Sequence, residues 1–189
     1  MQITDTNVYN LKEAIISVRN SMLTEMPEDT QENFSKGLER AIKLSKNENS
    51  SGHKNFLSGI LFSFNITYPQ YWSMEAQRYH FLQIVSSSSK MHRLTKMDIR
   101  TCCNKYVRKD VMDILQNEID RYNAEPTTEH FMSVISNCPM GLELFMHCTT
   151  NYLQLSTIYK QRRNHKLEDW QIFCNWIETL PYFEELIKQ

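Results

Sequence analysis

Residues 56–68 read FLSGILFSFNITY, and their apolar side chains follow the pattern of a β-strand. Aromatic and β-branched residues stand at positions 62, 64, 66 and 68 and alternate with polar ones, a period of two that is typical of a strand with one buried face. Residues 61–67 are therefore predicted to form a strand. Pro69 ends it, because proline donates no backbone hydrogen bond to a sheet.

The segment after this strand combines charge, hydroxyl groups and apolar anchors. Residues 77–93 read QRYHFLQIVSSSSKMHR and contain two arginines, one lysine, two histidines and four consecutive serines. Cations and serine hydroxyls are groups that bind an anion such as phosphate. A helix end followed by a solvated polar loop has the same composition, so both interpretations stand. We predict a helix over residues 73–85 and a loop over the serines at 86–89, since serines bond readily to nearby backbone.

A second basic segment occurs late in the chain. Residues 161–171 read QRRNHKLEDWQ and place four basic side chains close together, Arg162, Arg163, His165 and Lys166. These side chains either complete an anion site with the serine segment or form the cationic last turn of a helix, where free carbonyl groups favour positive charge.

Apolar residues recur at helical spacing over most of the remaining chain. A strand stays open as an alternative for the first of these segments. A proline and an acidic turn mark the start of the second, and Thr127 or Thr128 can cap the fourth. The predicted helices cover residues 8–19, 27–44, 97–122, 126–136, 140–160 and 167–180.

Length and composition are those of a single globular domain spanning residues 1–189. Hydrophobic residues make up 41% of the chain and charged residues 23%, with only four glycines and five prolines, which excludes the disordered and fibrous classes. A net charge of −1 provides no general attraction to nucleic acid or to an acidic membrane. Neither is expected as a partner, and any phosphate recognition must be local.

The five cysteines include no CxxC pair, and the six histidines are scattered without the spacing of a zinc site. No metal site is expected. No apolar run approaches the roughly 18 residues of a membrane span, and the first residues do not have the pattern of a signal peptide. We therefore expect a cytoplasmic protein with reduced thiols.

Several short motifs follow one another in a fixed order. The first half of the chain has Gly52-His53, the predicted strand, Gln77, Arg78-Tyr79-His80 and Ser88-Ser89-Lys90-Met91. The second half has Pro139, Asn151, Leu155, Arg162, His165 and Trp170. Over residues 51–176 this order resembles the flavin-dependent thymidylate synthase family, ThyX, which has a Gly-His loop, a glutamine before an Arg-His-Arg signature and a Ser-x-Arg-Tyr segment.

The resemblance implies an α/β (α+β) subunit with a curved mixed sheet and long helices. It also implies a homotetramer whose nucleotide and flavin pockets lie between subunits. In this family reduced FAD, regenerated with NADPH, carries a one-carbon unit from methylenetetrahydrofolate to dUMP, which becomes dTMP. The implied partners are thus a nucleotide and further copies of the chain.

The same resemblance assigns roles to individual residues. The implied catalytic residues are Ser88 and Arg162. The implied nucleotide-binding set is Gln77, Ser86, Ser87, Ser88, Ser89, Lys90, Arg162, Arg163 and His165. The implied cofactor-binding set is His53, Arg78, His80, Arg93 and Asn151.

Several family positions carry other residues in this chain, among them Met91 for the tyrosine of Ser-x-Arg-Tyr and Ser86 for the acidic residue expected before that segment. Tyr79 and His80 replace the last two residues of the Arg-His-Arg signature, and Lys90 replaces the arginine of Ser-x-Arg-Tyr. The imidazole of His80 is largely neutral near pH 7, so binding of the FAD pyrophosphate would weaken. Lys90, at the nucleotide phosphate, keeps the charge but loses the bidentate guanidinium fork. Three functions remain open: a ThyX-like enzyme in which His80 and Arg93 supply the flavin contacts, a nucleotide-binding protein without flavin chemistry, and a helical protein without a ligand.

Overall fold

The strand predicted from alternating aromatic residues lies inside a four-stranded sheet. The computed structural model describes residues 1–48 and 51–188, and its strands are β1 (Gln2–Tyr9), β2 (Leu61–Pro69), β3 (Gln83–Ser87) and β4 (Glu143–Asn151). Their order in the sheet is β1-β2-β4-β3. The predicted strand is confirmed as β2, which continues two residues further than expected.

The expected combination of a sheet with helices is confirmed, but the expectation of a mixed sheet is wrong. All three strand pairs in the described residues are antiparallel. The alternation along β2 already favours this arrangement, because strands of a parallel sheet are covered on both faces and are continuously apolar.

Eleven α-helices form in the described residues, and the longest, Gln31–Ser45 and Lys109–Ala124, have 15 and 16 residues. Single 3₁₀ turns occur at Asn20–Met22, Gly52–Lys54 and Leu94–Lys96. No helix in this part of the chain is long and apolar enough to cross a membrane. In chain order the helices are α1 (Leu11–Ser17), α2 (Gln31–Ser45), α3 (Asn55–Ser58), α4 (Gln70–Ala76), α5 (Lys90–Arg93), α6 (Ile99–Cys102), α7 (Lys109–Ala124), α8 (Thr128–Ser136), α9 (Tyr152–Arg162), α10 (Glu168–Glu178) and α11 (Phe183–Leu186).

Three of the predicted helices, α2, α8 and α10, are confirmed with small shifts at their ends. Thr30 caps α2 by accepting from the backbone N–H of Asn33, and Thr127 caps α8 by accepting from the backbone N–H of His130. A threonine before a helix satisfies a backbone donor that has no partner inside the helix. Such caps allow the first residues of α2 and α8 to be predicted from the sequence.

The predicted helix at residues 8–19 is wrong in its first part. A strand, the alternative left open for this segment, forms there. β1 runs to Tyr9, and α1 begins only at Leu11. Asn10 between them has a φ of 60°, a left-handed conformation that interrupts both elements. Val8 therefore belongs to the pairing of β1 with β2, and its helical spacing to later residues is coincidental.

The predicted helix at residues 73–85 is wrong beyond its first turn. α4 ends at Ala76, and the chain then forms β3 along the edge of the sheet. Phe81 and Val85, apolar side chains of this segment, are 62% and 60% exposed. Pairing with β4 overrides the local apolar spacing, since strand formation depends on cross-strand neighbours. The serines at 86–87, expected in a loop, are for the same reason strand residues.

Two longer predicted helices are interrupted. In the segment 97–122 the chain is extended at Cys103, which forms a β-bridge with Leu142, and α7 starts only at Lys109. The segment 140–160 is half strand, since β4 precedes α9. Buried residues alternate along β4, but apolar side chains four positions apart satisfy a helical period and a strand period alike.

Aromatic side chains cover one face of the sheet. The ring centre of Phe64 in β2 lies 4.5 Å from that of Trp176 and 6.0 Å from that of Phe173, both in α10. The fully buried Trp72 of α4 packs on Trp170, with 4.9 Å between ring centres. The opposite face carries mainly polar side chains of β2 and β4, most of them half-buried or exposed. This uncovered face leaves room for a ligand.

The first two helices pack closely at a glycine. A β-carbon added to Gly37 of α2 would meet the backbone oxygen of Ile15 in α1 well inside van der Waals contact. Backbone in a close-packed interior cannot move aside as the tip of a side chain can. Gly37 therefore sets the distance between α1 and α2.

Gly37→Ala is predicted to lower the free energy of unfolding by about 1–3 kcal/mol, because overpacking outweighs the roughly 1 kcal/mol that alanine gains over glycine inside a helix. Chemical denaturation followed by circular dichroism measures the change. Gly52→Ala is the control, since the nearest atom to its added β-carbon, Asn55 Nδ2, lies at 3.9 Å. A Gly37→Ala variant as stable as the unmodified protein would contradict this close packing.

Candidate functional site

An open cleft of about 830 Å³ lies beside β3, next to the uncovered face of the sheet. The serine run at 86–89 forms one wall, and Phe145 and His147 of β4 form another. Arg93 and Lys96, from the segment after β3, also border the cleft. Its size is that of a small-molecule site, for which roughly 300–1,000 Å³ is usual.

The serine run is held in place by the edge of β4. The backbone N–H of Ser88 donates to the carbonyl oxygen of Phe145 at 2.8 Å, and the N–H of Phe145 donates to Ser88 Oγ at 3.1 Å. The carbonyl oxygen of Ser89 accepts from the N–H of Arg93 at 3.1 Å, which starts α5. Because Ser88 Oγ already accepts one bond, its own O–H is available to donate to a bound anion.

Two cations of the cleft have no acidic partner among the described residues. Arg93 and Lys96 are exposed, and the acid in the cleft wall, Glu143, lies 3.5 Å from the N-terminal amine of Met1. The cleft therefore has a local positive charge that suits an anion. The sequence pointed to Arg93 but not to Lys96, although a spacing of three residues places two side chains on the same face of a helical turn.

Arg162 belongs to a polar cluster that does not line the cleft. Its Nη1 donates to Glu75 Oε2 at 2.8 Å, and its Nε donates to the hydroxyl of Tyr79 at 2.8 Å. The guanidinium carbon lies 4.8 Å from the ring centre of Trp170, and Trp170 Nε1 donates to the same oxygen of Glu75 at 2.9 Å. The cluster joins α4, α9 and α10 and holds the Arg162 side chain in one position.

The motif Arg78-Tyr79-His80 is divided between core and surface. Tyr79 is buried, and its hydroxyl donates to Gln161 Oε1 at 2.9 Å while it accepts from Arg162. Arg78 and His80 are exposed, and their side chains have no partner in the part of the chain that the structure describes. The centre of the motif therefore supports the fold, and its two outer residues are accessible from solvent.

Two other basic side chains of the second basic segment are also engaged within the chain. Arg163 forms an ion pair with Glu178 at 3.1 Å. His165 Nδ1 accepts from the backbone N–H of Leu167 at 3.2 Å. None of the residues 162–165 lines the cleft, so the fold of the chain does not bring this segment to the serines.

Four further residues of the expected site lie away from the cleft. Gln77 is exposed just after α4, and Lys90 is the half-buried first residue of α5. His53 lies in a separate recess beside α2. Asn151 caps α9, since its Oδ1 accepts a backbone N–H of that helix at 2.9 Å.

The residues assigned to FAD do not form a common pocket within the chain. Arg93 borders the cleft, His53 its separate recess, and Asn151 is occupied as a helix cap. Arg78 and His80 stand on the surface. A cofactor is normally enclosed by the groups that bind it. These five residues therefore do not fit an FAD site built from a single chain.

Burial makes two thiols, those of Cys103 and Cys138, poor nucleophiles. The pKa of Cys103 is raised to about 11 and that of Cys138 is also raised, mainly because burial disfavours the thiolate. Thiols that stay protonated near neutral pH neither attack electrophiles nor bind metals readily. Within residues 1–48 and 51–188, no three histidine, cysteine or acidic side chains are grouped closely enough to hold a metal ion.

The fold is similar to that of known enzymes, although the sequence is not. No family model and no curated protein matches the chain. Two solved structures of the flavin-dependent thymidylate synthase ThyX from Helicobacter pylori, both with FAD and dUMP, match all of it. One has a TM-score of 0.77 at 14% identity with 98% of its own chain covered, and the other 0.78 at 15% with 100% covered. The chain thus has a ThyX-like fold.

Glu75→Ala is predicted to lower the free energy of unfolding by about 2 kcal/mol, because Arg162 and the buried indole N–H of Trp170 both lose their acceptor. Urea denaturation monitored by tryptophan fluorescence measures it. The control Glu32→Ala removes a carboxylate that pairs with exposed Lys36 on α2, and such pairs contribute little. Equal stability of the two variants would show that the cluster does not support the fold.

Proposed function

We propose that this chain binds a nucleotide in the cleft, with the phosphate between the serine run at 86–89 and the two cations. The observation that carries this proposal is the meeting of ordered hydroxyl donors with unpaired Arg93 and Lys96 in one cleft of about 830 Å³. A phosphate dianion needs several converging donors and a positive field, and the described residues supply both there.

The donors differ in what they contribute to an anion. The guanidinium of Arg93 offers a planar fork that can bind two phosphate oxygens, while the ammonium of Lys96 acts as a point charge. Hydrogen bonds to a charged partner are about twice as strong as neutral ones. The hydroxyl of Ser88 adds a donor whose position is fixed by β4. The arginine and the lysine would therefore supply most of the affinity for phosphate.

The sugar and base of the nucleotide would lie towards β4. Phe145 borders the cleft and is 65% exposed, so the face of its ring is available for a nucleobase. Stacking of a base on an aromatic side chain contributes about 1–3 kcal/mol. The two ThyX structures of similar fold contain dUMP, which makes a pyrimidine nucleoside monophosphate the ligand class to test first.

Residues of the expected nucleotide set outside the cleft would reach the ligand only in an assembly. In a homotetramer with pockets between subunits, Gln77, Lys90, Arg163 and His165 of a neighbouring copy could face the cleft. Arg162 is a weaker candidate for this role, because it would have to leave its bonds with Glu75 and Tyr79. Oligomerisation is part of this proposal and is tested with it.

Flavin-dependent methylation of dUMP to dTMP is the second candidate function. It is favoured by the FAD bound in both similar structures. Within one chain the residues assigned to FAD do not share a pocket, so the cofactor would need contacts from several subunits. The separation of the residues assigned to FAD, and the burial of Tyr79 at the centre of the signature, support nucleotide binding without flavin chemistry as the first candidate.

Arg93→Ala and Lys96→Ala are each predicted to weaken dUMP binding about tenfold or more, because a charged hydrogen bond contributes about 1.5–3 kcal/mol. Ser88→Ala removes a neutral donor and should cost less. Isothermal titration calorimetry at two salt concentrations measures these effects, since phosphate contacts weaken with salt. Lys43→Ala, an exposed cation of α2 outside the cleft, is the matched control. Unchanged affinity in both cation variants would disprove the site.

The absorbance spectrum of the purified protein separates the two candidates. We expect a protein without bound flavin that stays colourless after incubation with FAD and desalting, yet binds dUMP. Retained yellow flavin, together with dTMP formation in the presence of NADPH and methylenetetrahydrofolate, would establish the second candidate instead. Light scattering on the same sample gives the mass of the assembly and tests the homotetramer.

A further inference from the structure

Three polar side chains form a hydrogen-bonded chain across the uncovered face of the sheet. Asn65 Nδ2 donates to Asp5 Oδ2 at 2.7 Å, and Asn65 Oδ1 lies 2.7 Å from His147 Nδ1. Asp5 belongs to β1, Asn65 to β2 and His147 to β4, and the last two are direct cross-strand partners. Asn65 and His147 border the cleft. This series of hydrogen bonds therefore ends at the candidate site.

A β-bulge in β1 brings the carboxylate into this chain. Thr4 pairs with Asn65 and Asn7 with Ser63, so β1 has one residue more than β2 over this interval. Asp5 takes a φ of 53°, a left-handed conformation that aspartate and asparagine tolerate better than most residues. Asn7 Nδ2 donates to the carbonyl oxygen of Asp5 at 3.0 Å and supports the bulge.

The order of donors and acceptors determines which nitrogen of His147 carries the proton. An ionised carboxylate only accepts, so Asn65 must turn its NH₂ group to Asp5 and its carbonyl oxygen to His147. That oxygen also only accepts, so Nδ1 of His147 must be the N–H. In the neutral ring Nε2 then has a free lone pair.

The acceptor atom of His147 is left for a ligand. Nε2 is on the ring edge away from Asn65, and it forms no hydrogen bond with the described residues. On the β3 side the cross-strand partner of His147 is Ser86, which also borders the cleft. The ring thus borders the cleft with an acceptor, whereas Arg93 and Lys96 only donate.

We infer that His147 is a specificity-determining residue of the cleft, whose Nε2 accepts a hydrogen bond from an N–H or O–H of the base or sugar. Asn65 and Asp5 are positioning residues that act through it. This inference rests on the nucleotide-binding proposal. His147 follows Phe145, the anchor of Ser88, by two residues, or about 7 Å along a strand. The cleft therefore binds the phosphate at one point and the N–H or O–H donor of the base or sugar at another.

The proton position can be measured without any ligand. Two-bond ¹H–¹⁵N spectra of the labelled protein at about pH 8, where a free imidazole is neutral, distinguish the two tautomers. We expect the Nδ1–H form for His147. Two histidines serve as internal references: His130 Nδ1 lies 2.8 Å from the carbonyl oxygen of Glu125 and must be Nδ1–H, while His165 Nδ1 accepts from Leu167. An Nε2–H signal for His147 would overturn the inference.

Exchanging the side chains at positions 5 and 65 tests whether the Nδ1–H tautomer of His147 can be rescued. Asn65→Leu removes the acceptor, and His147 should then take the Nε2–H form in a large fraction of molecules. The double variant Asp5→Asn with Asn65→Asp keeps both hydrogen bonds, because the amide at the bulge donates to the carboxylate on β2, which accepts Nδ1–H. It should restore the Nδ1–H signal. A double variant that behaves like Asn65→Leu would contradict the positioning role.

Calorimetry with dUMP and two analogues tests the contact with the ligand. N3-methyl-dUMP lacks the base N–H, and 2′,3′-dideoxyuridine monophosphate lacks the sugar hydroxyl. The analogue without the recognised donor should bind the unmodified protein about tenfold more weakly, which corresponds to a net hydrogen bond of about 1.4 kcal/mol. His147→Phe should bind dUMP about tenfold more weakly and lose this discrimination.

The outcomes separate the inference from the proposal on which it rests. If dUMP binds and His147→Phe shows unchanged affinity and unchanged discrimination, the role of His147 is disproved and the nucleotide site stands. If dUMP does not bind the unmodified protein, the nucleotide proposal itself falls and the inference with it, whatever tautomer His147 adopts.

Discussion

The antiparallel pairing of β2 with β4 sets the position of every other part of the cleft. Nine residue pairs join the two strands. Their register sends Phe64 into the aromatic core and turns Asn65 and His147 to the opposite face. A slip of one residue would exchange the two faces and bury the polar groups. β3 adds to the far side of β4 and carries the serine run to the rim of the cleft.

The cluster around Arg162 is a second constraint, and it changes how the basic segment is understood. A charge removed from water needs a partner and further hydrogen bonds, since leaving it unpaired costs several kcal/mol. Glu75 and Tyr79 meet this need and join α4 to α9, while the indole of Trp170 connects α10. Tyr79 thus has a structural reason to stand where the ThyX signature has histidine. The same bonds leave the guanidinium less free to bind phosphate.

The sequence could reveal elements with a single periodicity or a clear cap, and β2 and α8 are examples. It could not reveal β4, where Leu144 and Cys148 fit a helix and a strand equally, or β3, which is exposed throughout and exists through its pairing. The serines and Arg93 were found because they are neighbours in the chain. The group formed by Asp5, Asn65 and His147 comes from three distant strands and leaves no local signal.

Because of the bulge in β1, the tautomer of His147 depends on the number of residues in that strand. Deleting one residue between Thr4 and Asn7 would make β1 regular against β2 and remove the left-handed position of Asp5. No residue of the cleft would change its identity, yet His147 would lose the group that orders its proton. Insertions and deletions near the start of the chain can therefore alter hydrogen bonding in the cleft as effectively as substitutions inside it.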